Sequence, residues 1–261
     1  MGGKIICCAN NKGGIGKTSA TCHLAVALAR RGHRVLVIDN DPQCNATGIL
    51  GKKGILFGGT MYEIYEKSVD RMGVSSCIYE TEYEGCFLLP NAEETSGLEM
   101  SLAAAYPESL TTLRDRVSRH ARVNYDFTFI DCPPAVGLFV ANALFASDFA
   151  VVPVDAGSAH SLDGLKKLLD LIGSVQEAGN PGLRFLKLLV NRVDLRTAIS
   201  RVILEDVRNT FSDGRVFATS IPQDTVFERA EYAKETVFKN HPRSRGARTY
   251  ENLAEEFLAA V

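Results

Sequence analysis

Asn10 to Ser19, read Asn-Asn-Lys-Gly-Gly-Ile-Gly-Lys-Thr-Ser, constrains this chain more than any other stretch. It sets three glycines, two lysines and the Thr18 hydroxyl directly after the apolar run Ile5-Ile6-Cys7-Cys8-Ala9. After it, Ala20, Leu24, Ala27 and Leu28 fall on one helical face until Gly32 ends the helix. Strand, glycine loop and helix in that order make a cradle for phosphate, because loop N–H groups and the helix N-terminus converge on an anion. Gly16-Lys17-Thr18 meets the end of the pattern G-x-x-x-x-G-K-[ST], while Asn11 stands at its first position. In this geometry Gly13, Gly14, Ile15, Gly16 and Ser19 line the phosphates. Lys17 reaches the outer ones, and Thr18 is placed to bind Mg²⁺.

Composition bounds the rest. The chain has 261 residues, 46% hydrophobic and 23% charged, which suits one α/β domain spanning 1–261. No run approaches the ~18 apolar residues of a membrane helix, so a soluble, cytoplasmic protein is expected. Seven cysteines (Cys7, Cys8, Cys22, Cys44, Cys77, Cys86 and Cys132) form no C-x-x-C pair and lie mostly in apolar runs, which predicts buried thiols and no disulfides. Net charge is −2, yet residues 184–248 hold 13 Lys and Arg against 8 Asp and Glu. That excess suits a polyanion-binding face and equally suits solvated helix faces.

Along the chain, the apolar run Arg34 to Asp39 reads as a strand buried on both faces, and it delivers Asp39 and Asp41 to the edge that carries the glycine loop. Tyr125 to Asp131 is a second apolar strand ending in an acid, the Walker B form, whose Asp131 carboxylate holds Mg²⁺ or its water shell opposite Thr18. Further strands are expected at Phe87–Pro90, Phe149–Val154 and Phe185–Val190. Helices are expected at Thr60–Lys67, Glu93–Ala105, Glu108–Arg122 and Ala247–Ala260, and over a segment carrying Leu162, Leu165, Leu168, Leu169 and Ile172. Glycine-rich Ile49 to Tyr83 otherwise reads as loop, with no clear period at Tyr79 to Glu84. The alternation predicts a doubly wound, mostly parallel α/β sheet with helices on both faces. Asn191-Arg192-Val193-Asp194 is similar to the guanine-reading N-K-x-D motif with Arg for Lys, which leaves the base open.

Taken together, Lys12 to Thr18, Asp39-Asn40-Asp41-Pro42-Gln43-Cys44-Asn45-Ala46-Thr47 and Ile130-Asp131-Cys132-Pro133-Pro134 resemble the deviant Walker ATPases of the ParA/MinD group, closest to ParA-type partition proteins. The likeness extends over nearly the whole chain. It implies a weak ATPase that forms a homodimer in the ATP state, with two nucleotides sandwiched between subunits and Lys12 reaching the partner's phosphates. It implies that Asp41 orients or deprotonates the attacking water, that Asp39 assists the Mg²⁺ and water network and that Asp131 supports Mg²⁺. By the same resemblance Asn191 and backbone near Pro222 contact adenine, which makes this an ATP site. Non-specific DNA binding by the ATP dimer on the nucleoid is implied as well, with release when a centromere-binding partner protein stimulates hydrolysis. Arg196 matches a family DNA-contact position, and Arg229, Arg243 and Arg245 are further candidates. Three departures stand out: Cys44 replaces the usual glycine, Asp155 to His160 replaces a more acidic, aromatic stretch, and Pro222 to Phe227 contains no arginine. Other readings are a ParA-like positioner of another cargo, an iron-sulfur electron-transfer ATPase, which needs paired surface cysteines, and a MinD-like membrane-cycling ATPase, which needs a basic amphipathic C-terminal helix.

Overall fold

The computed structural model describes residues 2–66, 69–157, 165–211 and 214–261. Its centre is a seven-stranded sheet of β1 (Lys4–Cys8), β2 (Val35–Asp39), β3 (Tyr79–Glu80), β4 (Cys86–Leu89), β5 (Phe127–Asp131), β6 (Phe149–Asp155) and β7 (Arg184–Asn191). The order is β3-β4-β2-β5-β1-β6-β7, parallel throughout except for the β3–β4 edge pair. Alternate residues of the inner strands enter two separate cores. Ile5, Cys7, Leu36 and Ile38 belong to one, and Ile6, Cys8, Val35 and Val37 to the other. A strand buried on both faces needs an unbroken apolar run, and this is why these segments lack the alternation of a half-exposed sheet. Helices accordingly cover both faces, as expected for a doubly wound fold.

Helix α1 (Lys17–Ala29) and the C-terminal helix Arg245–Leu258 pack on the face that holds Ile6 and Cys8. Phe257 sits with its ring centroid 5.5 Å from those of Phe127 and Phe129. Truncating such a side chain in a core costs about 3–5 kcal/mol. That helix starts two residues before the expected Ala247, because the Ser244 hydroxyl caps it by accepting the Ala247 N–H at 3.1 Å. Met61–Glu66 is helical as the sequence predicts. Thr60 Oγ1 accepts from the Tyr62 N–H, and Glu63 Oε2 accepts from the Thr60 N–H, a reciprocal cap.

Other segments differ from the sequence reading. Tyr79–Glu80 is a two-residue antiparallel edge strand, and a short helix, α2 (Asn45–Leu50), follows Cys44. Glu93–Ala105 and Glu108–Arg122 are not smooth helices but mixtures of 3-10, α and π turns. Asn142 Oδ1 takes the Leu113 N–H at 3.2 Å, and the π turn Arg114–Ser118 follows at once, as expected where a side chain enters a helical ladder. Lys67, Leu162 and the Ser158-Ala159-His160 part of the divergent stretch lie outside the described residues.

Candidate functional site

β1 ends at Cys8 between β5 and β6, so the glycine loop emerges at the carboxyl edge of the sheet centre, where the chain changes its direction of winding. Asn10 anchors the loop by donating from Nδ2 to the Pro153 carbonyl at 2.7 Å and accepting the Lys12 N–H at Oδ1. Gly14 (φ 69°) and Gly16 (φ 84°) turn it through left-handed conformations that disfavour side chains. Lys17 is buried and its Nζ donates to the Lys12 carbonyl at 2.9 Å, which curls the loop into a ring around its own lysine. The Lys12 side chain is half-buried.

Asp131 lies beside Asp39 in ladder register across β2 and β5, and both carboxyls are completely buried. Thr18 Oγ1 donates to Asp131 Oδ2 at 2.7 Å, and Thr21 donates to Oδ1 at 3.3 Å. Burial pushes the Asp131 carboxyl well above the usual carboxylate range, and the charge of Asp39 pushes it further. Burial raises Asp39 too, opposed by hydrogen bonds from Thr47 and from the Asp41 N–H. Two such carboxyls side by side call for a cation nearby. The donor set, a hydroxyl and a carboxylate, is hard oxygen and fits Mg²⁺. Among the described residues no group of three His, Cys, Asp or Glu side chains is placed to hold a metal ion.

A cleft of about 500 Å³ opens above this pair, lined by the loop, Asp41, Asn191, Pro222, Phe227 and Tyr250 among others. It unites the predicted phosphate residues, apart from the buried Ile15, with Asn191 and Pro222, which are brought together because the Val193 N–H donates to the Ile221 carbonyl and the Gln223 N–H to the Val193 carbonyl. Asn191 Nδ2 donates to the Ile15 carbonyl at 2.8 Å, whereas its buried Oδ1 has no donor. That acceptor beside the loop fits an exocyclic amine of a base. Asp41 reaches the cleft, with Oδ1 accepting the Gln43 N–H at 2.9 Å. Neither Asp39 nor Asp131 lines it: both are completely buried, the oxygens of Asp39 accepting from Thr47 and the Asp41 N–H and those of Asp131 from Thr18 and Thr21.

Cys44 sits at φ 56°, the left-handed region in which glycine is the easy choice, and this explains why a glycine would suit its position. Its thiol donates to the Pro42 carbonyl at 3.3 Å, and burial with nearby Asp39 and Glu93 pushes it up to about 12. The other six cysteines are buried, so no sulfur pair stands at the surface, and none of the seven is in a disulfide. Arg196 is exposed but forked onto Asp194 at 2.8 and 2.9 Å, which holds the Asp194 carboxyl down at about 2. Arg192 pairs with buried Asp155. Arg229, Arg243 and Arg245 are exposed and form no ion pair among the described residues. None of these four candidate DNA residues lines the cleft.

Sequence reasoning passed over Thr21, His23 and Thr47. Thr47 stands inside a motif already singled out. His23, four residues after Ser19 on α1, carries only its helical spacing as a signal.

A family model described as an AAA domain matches residues 3–185. The sporulation initiation inhibitor protein Soj of Bacillus subtilis is 36% identical over 257 residues, 98% of this chain and 99% of that protein. The chromosome partitioning protein ParA of Myxococcus xanthus is 32% identical over 256 residues, covering 98% and 88%. Among solved structures, cobyrinic acid a,c-diamide synthase from Mycobacterium smegmatis with bound ATP analogue and magnesium matches with a TM-score of 0.82 at 29% identity, over 98% of this chain and 94% of that one. The complex of a Cyanothece McdA variant with ATP has a TM-score of 0.84 at 22% identity, over 99% and 97%, a likeness of fold alone. The glycine loop, the paired strand-end acids and full-length similarity to Soj and ParA place the chain in one family: it belongs to the AAA-domain proteins as a ParA-type partition ATPase.

Proposed function

We propose that this protein is an ATP-hydrolysing switch that dimerises around ATP and Mg²⁺, binds DNA without sequence preference as the dimer, and serves chromosome or plasmid partition. The observation that carries the reading is the convergence on one cleft of the Lys17 loop, Thr18 bonded to Asp131, Asp41, and Asn191 with its free acceptor. Gly13 to Ser19 hold the phosphates, Lys17 leaving its loop carbonyl for the outer ones, and Asn191 with the Pro222 backbone selects adenine. Thr18 and Asp131 hold the metal. Mg²⁺, when bound, offsets charge on the transferring phosphoryl oxygens. Asp41, the carboxylate that reaches the cleft, orients and deprotonates water, and Asp39 positions Asp41 from below.

Lys12 supplies a second cation across the dimer, in the manner of arginine fingers. A centromere-bound partner protein stimulates turnover and thereby release from the nucleoid. Among the described residues no helix is long and apolar enough to cross a membrane, and the C-terminal helix packs its apolar face into the core. The same chemistry serves if the cargo is something other than a replicon.

The decisive comparison pairs Lys17→Ala with Asp41→Ala. Lys17→Ala loses binding of a fluorescent ATP analogue, while Asp41→Ala keeps it and loses hydrolysis by at least about 100-fold. Hydrolysis at the parental rate by Asp41→Ala sinks the assignment of Asp41.

A further inference from the structure

The β2–β4 ladder stops at Ile38–Leu89, where the next β4 position is Pro90, which has no N–H to give. One side chain takes over the connection. Thr47 Oγ1 accepts the Asn91 N–H at 2.9 Å and donates to Asp39 Oδ2 at 2.7 Å, and the Thr47 N–H donates to the same oxygen at 2.7 Å. Asp39 Oδ1 accepts the Asp41 N–H at 3.2 Å, and Asp41 Oδ1 accepts the Gln43 N–H. Cys44, at the N-cap of α2, makes no side-chain cap bond, so Asp39 caps this helix from outside it. A continuous set of hydrogen bonds thus runs from the end of β4 to the acid in the cleft.

From this we infer that Thr47 is a positioning residue for hydrolysis: its hydroxyl fixes the rotamer of Asp39, and Asp39 in turn fixes the backbone of Asp41. Thr47 does not touch the reacting atoms. A carboxylate held by one hydroxyl and two N–H groups has no rotational freedom left, and the Asp41 amide bonded to it sets where that side chain points. Removal of the hydroxyl also leaves the buried Asn91 N–H without its acceptor, so the strand end is released together with Asp39.

The test uses full-length Thr47→Val, which keeps shape and N–H but loses the hydroxyl, and Thr47→Ser, which restores it. Thr47→Val is expected to lower kcat about 10- to 100-fold with the KM for ATP within about two-fold, and Thr47→Ser to return most of the rate. In the nucleotide-free protein, amide exchange at Asp41 should accelerate in Thr47→Val and not in Thr47→Ser, while the β2 amide of Val37 stays protected in both. Parental turnover and parental Asp41 exchange in Thr47→Val overturn the inference. So does loss of protection throughout the sheet, which marks a purely structural role. If Thr47→Val does not fold, Thr47→Ala takes its place, and failure of both to fold overturns it equally. The inference rests on Asp41 as the water-activating acid. An active Asp41→Ala removes that reading, whereas an inactive Asp41→Ala beside a normal Thr47→Val removes this one alone.

Discussion

Gly16 shows how one residue ties the glycine loop to the Asn191 end of the cleft. Its φ of 84° already disfavours any side chain, and a Cβ built there would stand 2.9 Å from Asn191 Nδ2. Gly14, at φ 69°, meets nothing within 4 Å. In the nucleotide-free protein Gly14→Ala therefore adds only left-handed strain, about 1–2 kcal/mol, or a melting temperature lower by several degrees. Gly16→Ala should add to that a loss of ATP affinity of about ten-fold or more, because Asn191 is displaced. Calorimetric melting of the nucleotide-free variants compares their strain, and an ATP affinity of Gly16→Ala equal to the parent's would contradict the placement of Asn191.

At the level of elements, His23 is where four helices meet. It lies 3% exposed on α1, stacked on Tyr250 of the C-terminal helix at 4.8 Å and edge-on to Phe227 of the helix Thr225–Tyr232 at 5.6 Å. Nε2 accepts the Val237 N–H at the start of the helix Val237–Asn240, so the proton must be on Nδ1, which donates to the Ser19 carbonyl at 2.6 Å. Burial pushes the imidazole down to about 4. The folded form thus binds this proton less readily than the unfolded chain, whose histidine titrates near 6.5. The stability that follows from keeping His23 neutral is complete above that pH and is lost as pH falls from 6.5 toward 4. Between pH 7 and pH 5 the loss is about 2 kcal/mol. Denaturant melts at both pH values should show His23→Gln losing that much less than the parent. An equal loss in both proteins would mean that His23 is not the group responsible.

For the whole molecule the question is how the basic third is used. Residues 184–248 carry the positive excess, and Arg229, Arg243 and Arg245 are not cancelled by ion pairs among the described residues, whereas Arg196 shares its guanidinium with Asp194. Few phosphates are neutralised by one subunit, so DNA binding is expected only in the ATP-bound dimer and should collapse with salt. Replacing both Arg243 and Arg245 by Ala should lower the slope of log affinity against log salt by about 1 for every phosphate left without its arginine, and Arg196→Ala by less. Mobility shifts of random duplex DNA with ATP and with ADP at several salt concentrations read this out, and an unshifted duplex at low salt with ATP would rule out the nucleoid as substrate. Lys12→Ala should bind ATP yet stay monomeric by light scattering, and a normal ATP-dependent dimer would remove the trans role of Lys12.

The sequence alone determined what depends on near neighbours in the chain. The apolar runs of β1, β2 and β5, the glycine loop and the acids after Ile38 and Ile130 were legible because strand, turn and helix preferences act over a few residues. The two-residue strand β3, the short helix α2 and the π turn at Arg114–Ser118 were not, since each depends on a partner outside its own segment, namely β4, Asp39 and Asn142. Tertiary structure also decided how the two acids of the Asp39-Asn40-Asp41 turn are held. The resemblance assigns Asp41 to the attacking water and Asp39 to the Mg²⁺ and water network; in the fold Asp39 is bonded to Thr47, and Asp41 is left facing the cleft. The physical reason is range. Thr18 meets Asp131 from 113 residues away and His23 meets Val237 from 214, contacts whose geometry only the packed sheet and helices can set.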